Sequence, residues 1–65
     1  MRTVKLTRLL ENSMRKIDIV EYYNDVMEFL YDFPVDEIPK TVQDDILKYD
    51  IVEKDGKVVL MVVEK

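Results

Sequence analysis

The sequence predicts a single small α+β domain with an N-terminal strand, two main helices and a C-terminal β-hairpin. Three observations predict it. Apolar residues recur at three- and four-residue steps from Ile19 to Phe33, a second such row follows Pro39, and Asp55-Gly56 separates two runs rich in β-branched residues. At 65 residues there is room for one core only, so the domain spans residues 1–65. Ile, Leu, Val and Phe make up 23 of the 65 residues, enough apolar surface to fold.

Segment one, Arg2 to Leu10, places Val4, Leu6 and Leu10 on one side of an extended chain and Thr3, Lys5 and Thr7 on the other. Leu6, Leu9, Leu10 and Met14 also fit helical spacing, so this segment reads as a strand with a helix as its alternative. The first main helix follows Asn12 and Ser13, either of which can cap it, and buries Ile19, Tyr22, Tyr23, Val26, Met27, Leu30 and Phe33. Asp18, Glu21, Asp25, Glu28 and Asp32 form its solvated face. Pro34 ends it, because the residue before a proline is pushed out of the α region. Val35 to Ile38 is a single helical turn between prolines. The second main helix starts at Pro39, a good first-turn residue, and stripes Val42, Ile46 and Tyr49, with Leu47 beside them.

Asp55-Gly56 accepts the positive φ values of a type I′ turn, which opposes Lys54 to Lys57, Glu53 to Val58, Val52 to Val59 and Ile51 to Leu60. The last strand is apolar on both faces, with Val58, Leu60 and Val62 on one and Val59, Met61 and Val63 on the other. Such a strand belongs in the middle of a sheet covered on both sides. Two helices cover one face, and a second copy is the simplest cover for the other. The expectation is a homodimer assembled through the sheet, with segment one or the same strand of a second subunit beside the last strand. Alternatively, a helical segment one lies over Val59, Met61 and Val63. Self-association also answers a stability question: with no Cys and no His, neither a disulfide nor a zinc site staples so small a core.

The order helix, short turn, helix, hairpin over residues 17–63 resembles the winged helix-turn-helix superfamily. The stretch Ile38-Pro39-Lys40-Thr41-Val42-Gln43-Asp44-Asp45-Ile46-Leu47-Lys48-Tyr49-Asp50-Ile51-Val52-Glu53-Lys54-Asp55-Gly56-Lys57 looks like a second helix of such a module running into its wing. The resemblance implies a recognition helix over Lys40 to Lys48 and a wing tip over Lys54 to Lys57. Two features depart from it: segment one precedes the helices, and the turn before Pro39 is short and acidic.

Charge divides the chain. Residues 1–16 carry five basic and one acidic side chain, net +4, and residues 17–65 carry five basic and thirteen acidic, net −8, against −4 for the whole. An acidic body repels phosphate. A nucleic-acid partner would therefore be met by Arg2, Lys5, Arg8, Arg15 and Lys16, with Lys54 and Lys57 at the wing. The plainer reading of these residues is surface charge that offsets the acidic helices.

Chemistry near neutrality needs groups this chain lacks. There is no His and no Cys, and Ser13 has no base to activate it. The only carboxylate clusters are Asp44-Asp45, Asp36-Glu37 and Asp50, and adjacent helical residues point about 100° apart, which prevents both from facing one substrate. Asp36, Glu37 and Asp45 lack the alternating spacing of a calcium loop, and Gly56 is the lone glycine, so no phosphate-cradling loop exists. No catalytic, cofactor or metal residue is expected. Tyr23 and Tyr31, eight residues apart on one helix, would share a face and form a partner patch, joined by Val59, Met61 and Val63 of the last strand.

The expected function is a small non-catalytic regulatory or adaptor module acting by protein contact as a homodimer. The alternative is a DNA-binding transcriptional regulator. No membrane partner is expected, since no apolar run of 18 residues occurs, and a cytoplasmic location is the default. The absence of Ala and the scarcity of Asn and Gln are compatible with a thermophilic source.

Overall fold

A computed structural model describes residues 2–42 and 44–64. In chain order the elements are β1 (Val4–Lys5), α1 (Leu6–Glu11), β2 (Ile19–Tyr23), β3 (Phe29–Pro34), a 3-10 turn (Val35–Glu37), β4 (Asp45–Lys54) and β5 (Lys57–Glu64). They form one five-stranded mixed sheet in the order β1-β4-β5-β2-β3. β2 and β5 run parallel, and the other neighbouring pairs run antiparallel. The short α1 and the segment from Val35 to Val42 cover one face.

This architecture overturns the two main helices and, with them, the winged-helix-like arrangement. Residues 19–34 are a β-hairpin. Ile-Val-Glu-Tyr-Tyr and Phe-Leu-Tyr-Asp-Phe are β-branched and aromatic runs that suit a pleated surface, and Asn24 turns the chain between them. Its side-chain oxygen accepts from Val26 N–H at 3.1 Å and Glu28 N–H at 2.8 Å, while its backbone N–H donates to the Glu28 carbonyl at 3.0 Å. Met27 takes the left-handed conformation the turn requires, at φ 65°.

The expected helix after Pro39 is also a correction. Its start is a turn, in which Val42 N–H donates to the Pro39 carbonyl at 3.4 Å, and the remainder is the first half of β4. The three-residue step from Ile46 to Tyr49 arises from a β-bulge. Ile46 opposes Glu64 and Lys48 opposes Val63, so Leu47 is an extra residue and Ile46 and Tyr49 share a face. A bulge thus produces the same step as a helical turn.

Segment one resolves into both of its readings. Two residues pair with β4, Val4 opposite Ile46 and Lys5 opposite Asp45, and the chain then enters α1. Leu6, Leu9 and Leu10 face the sheet from that helix. At its first turn Leu6 N–H donates to both the Asp44 carbonyl, at 2.9 Å, and the Asp44 carboxylate, at 3.1 Å.

The C-terminal hairpin has the register its turn dictates, Lys54 opposite Lys57 through Ile51 opposite Leu60. Asp55 at φ 51° and Gly56 at φ 76° supply the two left-handed residues. β5 lies in the middle of the sheet, and its second neighbour is β2 rather than segment one or another copy. The core gathers Leu6, Ile17, Val20, Tyr22, Ile46, Leu60 and Val62. Asp18 ties three segments to it: its N–H donates to the Val58 carbonyl, its carboxylate accepts from Val58 N–H, each at 2.9 Å, and its carbonyl accepts from Val35 N–H at 3.0 Å.

Candidate protein-docking surface

The helix-free face of the sheet is built from three cross-strand rows: Ile19, Val59 and Val52; Glu21, Met61 and Asp50; Tyr23, Val63 and Lys48. Val59 and Val63 are only 2% and 6% exposed, and Met27 of the turn after β2 lines a pocket with Tyr23, Met61 and Val63 on this face. The chain therefore buries these two residues of the second face of β5 by itself, while Met61 is half-buried. Glu21 is held in this face by the Tyr23 hydroxyl, which donates to it at 3.0 Å, and by Lys54 at 3.3 Å. Burial, then the hydrogen bond to Glu21 and the negative charges of Glu21 and Asp32, raise the Tyr23 phenol above its ordinary pKa. Ionic and apolar rows alternate, so the face is not a continuous apolar patch.

Tyr31, expected beside Tyr23, lies on the opposite face. β3 carries a bulge at Leu30, so Phe29 pairs with Tyr23 while Tyr31 pairs with Tyr22. Tyr31 packs edge-on against Tyr22, with ring centroids 5.0 Å apart, and its hydroxyl donates to Glu64. That hydrogen bond, with burial, pushes its pKa up to about 12. The five residues expected at an interface therefore divide into Tyr23, Val59, Met61 and Val63 on the open face and Tyr31 at the margin of the core.

The expected basic set is dispersed. Lys5 pairs with Asp45 at 2.7 Å, Arg15 with Glu53 at 3.3 Å and Lys54 with Glu21 at 3.3 Å. Arg8 and Arg15 border the helix-covered face, whereas Lys54 and Lys57 sit at the hairpin tip on the open one. Arg2, Arg8, Lys16 and Lys57 make no ion pair among the described residues. Asp36 and Glu37 lie in the 3-10 turn, away from Asp45, and no group of three acidic side chains converges on a point among the described residues. No helix there is long and apolar enough to cross a membrane.

Sequence reasoning missed the outer edge of β4. Among the described residues β1 pairs with Asp45 and Ile46 alone, so none of their strands lies beside β4 from Lys48 to Lys54. The pair that closes a two-residue hairpin loop shares both backbone hydrogen bonds, which turns Lys54, Val52 and Asp50 toward β5 and leaves Glu53, Ile51 and Tyr49 pointing outward. Ile51 N–H is accordingly covered by the neighbouring Asp50 carboxylate at 2.9 Å. On the helix side this edge borders a groove of about 500 Å³ with Leu60, Leu9, Tyr49 and Ile51 among its lining and Arg8, Arg15 and Met14 at its rim. Tyr49 is 55% exposed and Ile51 36%. The groove exists because α1, at six residues, is too short to reach over the far half of β4.

The other sheet edge is guarded differently. Val35 N–H bonds to Asp18, which turns the β3 residues of the same parity inward and Pro34 and Asp32 outward, and Pro34 offers another strand a carbonyl but no N–H. No family model matches the chain, and no curated protein and no solved structure matches it significantly.

Proposed function

We propose that the chain is a non-catalytic module that binds polypeptide through the free edge of β4 and the apolar groove beside it. The observation that carries this reading is the outward-facing edge from Lys48 to Lys54 with Tyr49 and Ile51 exposed along it. An extended segment added to such an edge gains main-chain hydrogen bonds, and its alternate side chains enter the groove. The lack of His and Cys and the dispersal of the carboxylates support a role without catalysis. The DNA-binding alternative gains less support, since Lys5, Arg15 and Lys54 already pair with carboxylates of the same chain.

Tyr49→Lys/Ile51→Lys tests the reading, because both positions are exposed and lysine on an edge strand opposes pairing without emptying the core. Polypeptides retained by the tagged wild type in its native host, its own second copies included, are expected to be lost with the double variant. Retention of the same set by both proteins refutes it. Micromolar binding to mixed duplex DNA that falls steeply with salt would favour the alternative instead.

A further inference from the structure

We propose that the occupant of the β4 edge is the same edge of a second copy, paired antiparallel with Val52 on the two-fold axis. This rests on reading the edge as a docking surface and specifies what docks there.

Sterics and charge select the register. A two-fold axis perpendicular to the sheet joins like faces and makes each residue oppose one of the same parity. β1 already fills the lane beside Asp45 and Ile46, so the second copy's Lys54 must stop short of it. That excludes an axis at Asp50 or earlier. With the axis at Ile51, Lys48 opposes Lys54 of the second copy, twice by symmetry, and like charges directly opposite are destabilising. With the axis at Val52, Asp50 opposes Lys54 of the second copy, again twice, and Val52 meets itself. An axis at Glu53 leaves only a three-residue ladder. Val52 is the register that is both open and charge-matched.

The backbone agrees with it. Ile51 and Glu53 have the outward N–H and C=O groups, and in this register each Ile51 exchanges both hydrogen bonds with Glu53 of the second copy. The Ile51 N–H is now covered by the Asp50 carboxylate at 2.9 Å. When that N–H donates to the second copy, the carboxylate is released beside the second copy's Lys54. The pairing that uncovers Asp50 therefore also supplies its cation. Lys54 remains on the face that holds Glu21, 3.3 Å away, and can serve both carboxylates.

The test combines sedimentation from the micromolar to the millimolar range with charge exchange. Wild type is expected to reach the dimer mass. Asp50→Lys alone should weaken dimerisation about tenfold or more, and Asp50→Lys/Lys54→Asp should restore it. Val52→Cys supplies an independent readout, since the chain has no cysteine of its own. A non-hydrogen-bonded antiparallel pair places its Cα atoms about 4.5 Å apart, within disulfide reach. In a glutathione buffer this variant should form a disulfide-linked dimer, and Leu30→Cys on β3 should not. A monomer throughout, with Val52→Cys remaining reduced, overturns the second copy as occupant. A dimer indifferent to Asp50→Lys and not linked through Val52→Cys overturns it equally. Neither result touches the docking surface itself, which fails only if Tyr49→Lys/Ile51→Lys retains every bound polypeptide.

Discussion

Tyr22 and Tyr31 pack against each other, yet removal of the hydroxyl should act in opposite directions at the two positions. Tyr22 is 0% exposed, and its hydroxyl has no hydrogen-bond partner among the described residues. Burial, followed by the nearby Tyr31, Glu64 and Asp44, pushes its pKa up to about 12. An unsatisfied buried hydroxyl costs roughly 1–3 kcal/mol, and Tyr22→Phe removes that cost while leaving a void of a single oxygen. The net expectation is a gain of about 1 kcal/mol, which in a domain of this size raises Tm by roughly 4–8 °C. Tyr31→Phe deletes instead the donor to the Glu64 carboxylate, a charge-assisted bond at a half-buried site. A loss of about 1 kcal/mol follows, with Tm falling by a similar interval.

The assay is thermal unfolding followed by far-ultraviolet circular dichroism. The chain has no Trp, and its tyrosine fluorescence would change with the substitutions themselves. Protein concentration must be held fixed, because a dimer would make Tm depend on it. The double variant completes a cycle: if Glu64 turns to the Tyr22 hydroxyl once Tyr31 is shortened, the two effects will not add. A Tm lowered by several degrees in Tyr22→Phe refutes the reasoning, because it would mean that the Tyr22 hydroxyl is satisfied.

Other predictions concern pH and the turns. Both phenols have folded pKa values of about 12 against an ordinary 10, so between those values the folded state holds more protons than the unfolded one. Stability should be unaffected by them below pH 10 and fall as pH rises toward 12, with a shallower fall in Tyr22→Phe/Tyr31→Phe, as measured by urea unfolding across that range. Met27→Gly should stabilise by up to about 1 kcal/mol, because φ 65° suits glycine and strains an unbranched side chain; an unchanged or lower midpoint in urea would count against it. Gly56→Ala should cost about 1 kcal/mol in the same assay, since space is open around a Cβ at that position and only φ 76° opposes it.

The hairpin of β4 and β5 was legible because one dipeptide fixes its register locally. Asp55-Gly56 demands two left-handed residues, and everything from Ile51 to Leu60 follows. The rest was obscured by bulges and by chain reversals built without glycine. Leu47 and Leu30 each add a residue, so same-face positions fall three apart in β4, as in a helix, and Phe29 and Tyr31, two apart in β3, face opposite ways. Asn24 was a usable turn signal, but it lay inside a row whose apolar spacing also satisfied a helix. The β4 edge could not be read at all. Whether a strand is exposed depends on how far β1 extends, and only two residues of segment one reach β4.

The division between a basic N-terminal segment and an acidic body acquires a structural sense once the strands are in place. Lys5 reaches Asp45 on β4, and Arg15 reaches Glu53 on the same strand, so residues at both ends of the basic segment are fastened along one acidic strand. Each pair is exposed and contributes little alone. They flank α1 in the chain, and what seats the helix is the packing of Leu6, Leu9 and Leu10 with the core that includes Ile46 and Leu60. β1 ends at Lys5, where the chain enters α1, and the outward groups of Tyr49, Ile51 and Glu53 have no strand beside them among the described residues. Part of the charge asymmetry that suggested nucleic acid is therefore met within the chain, through Lys5 and Arg15, while Arg2, Arg8 and Lys16 make no ion pair among the described residues.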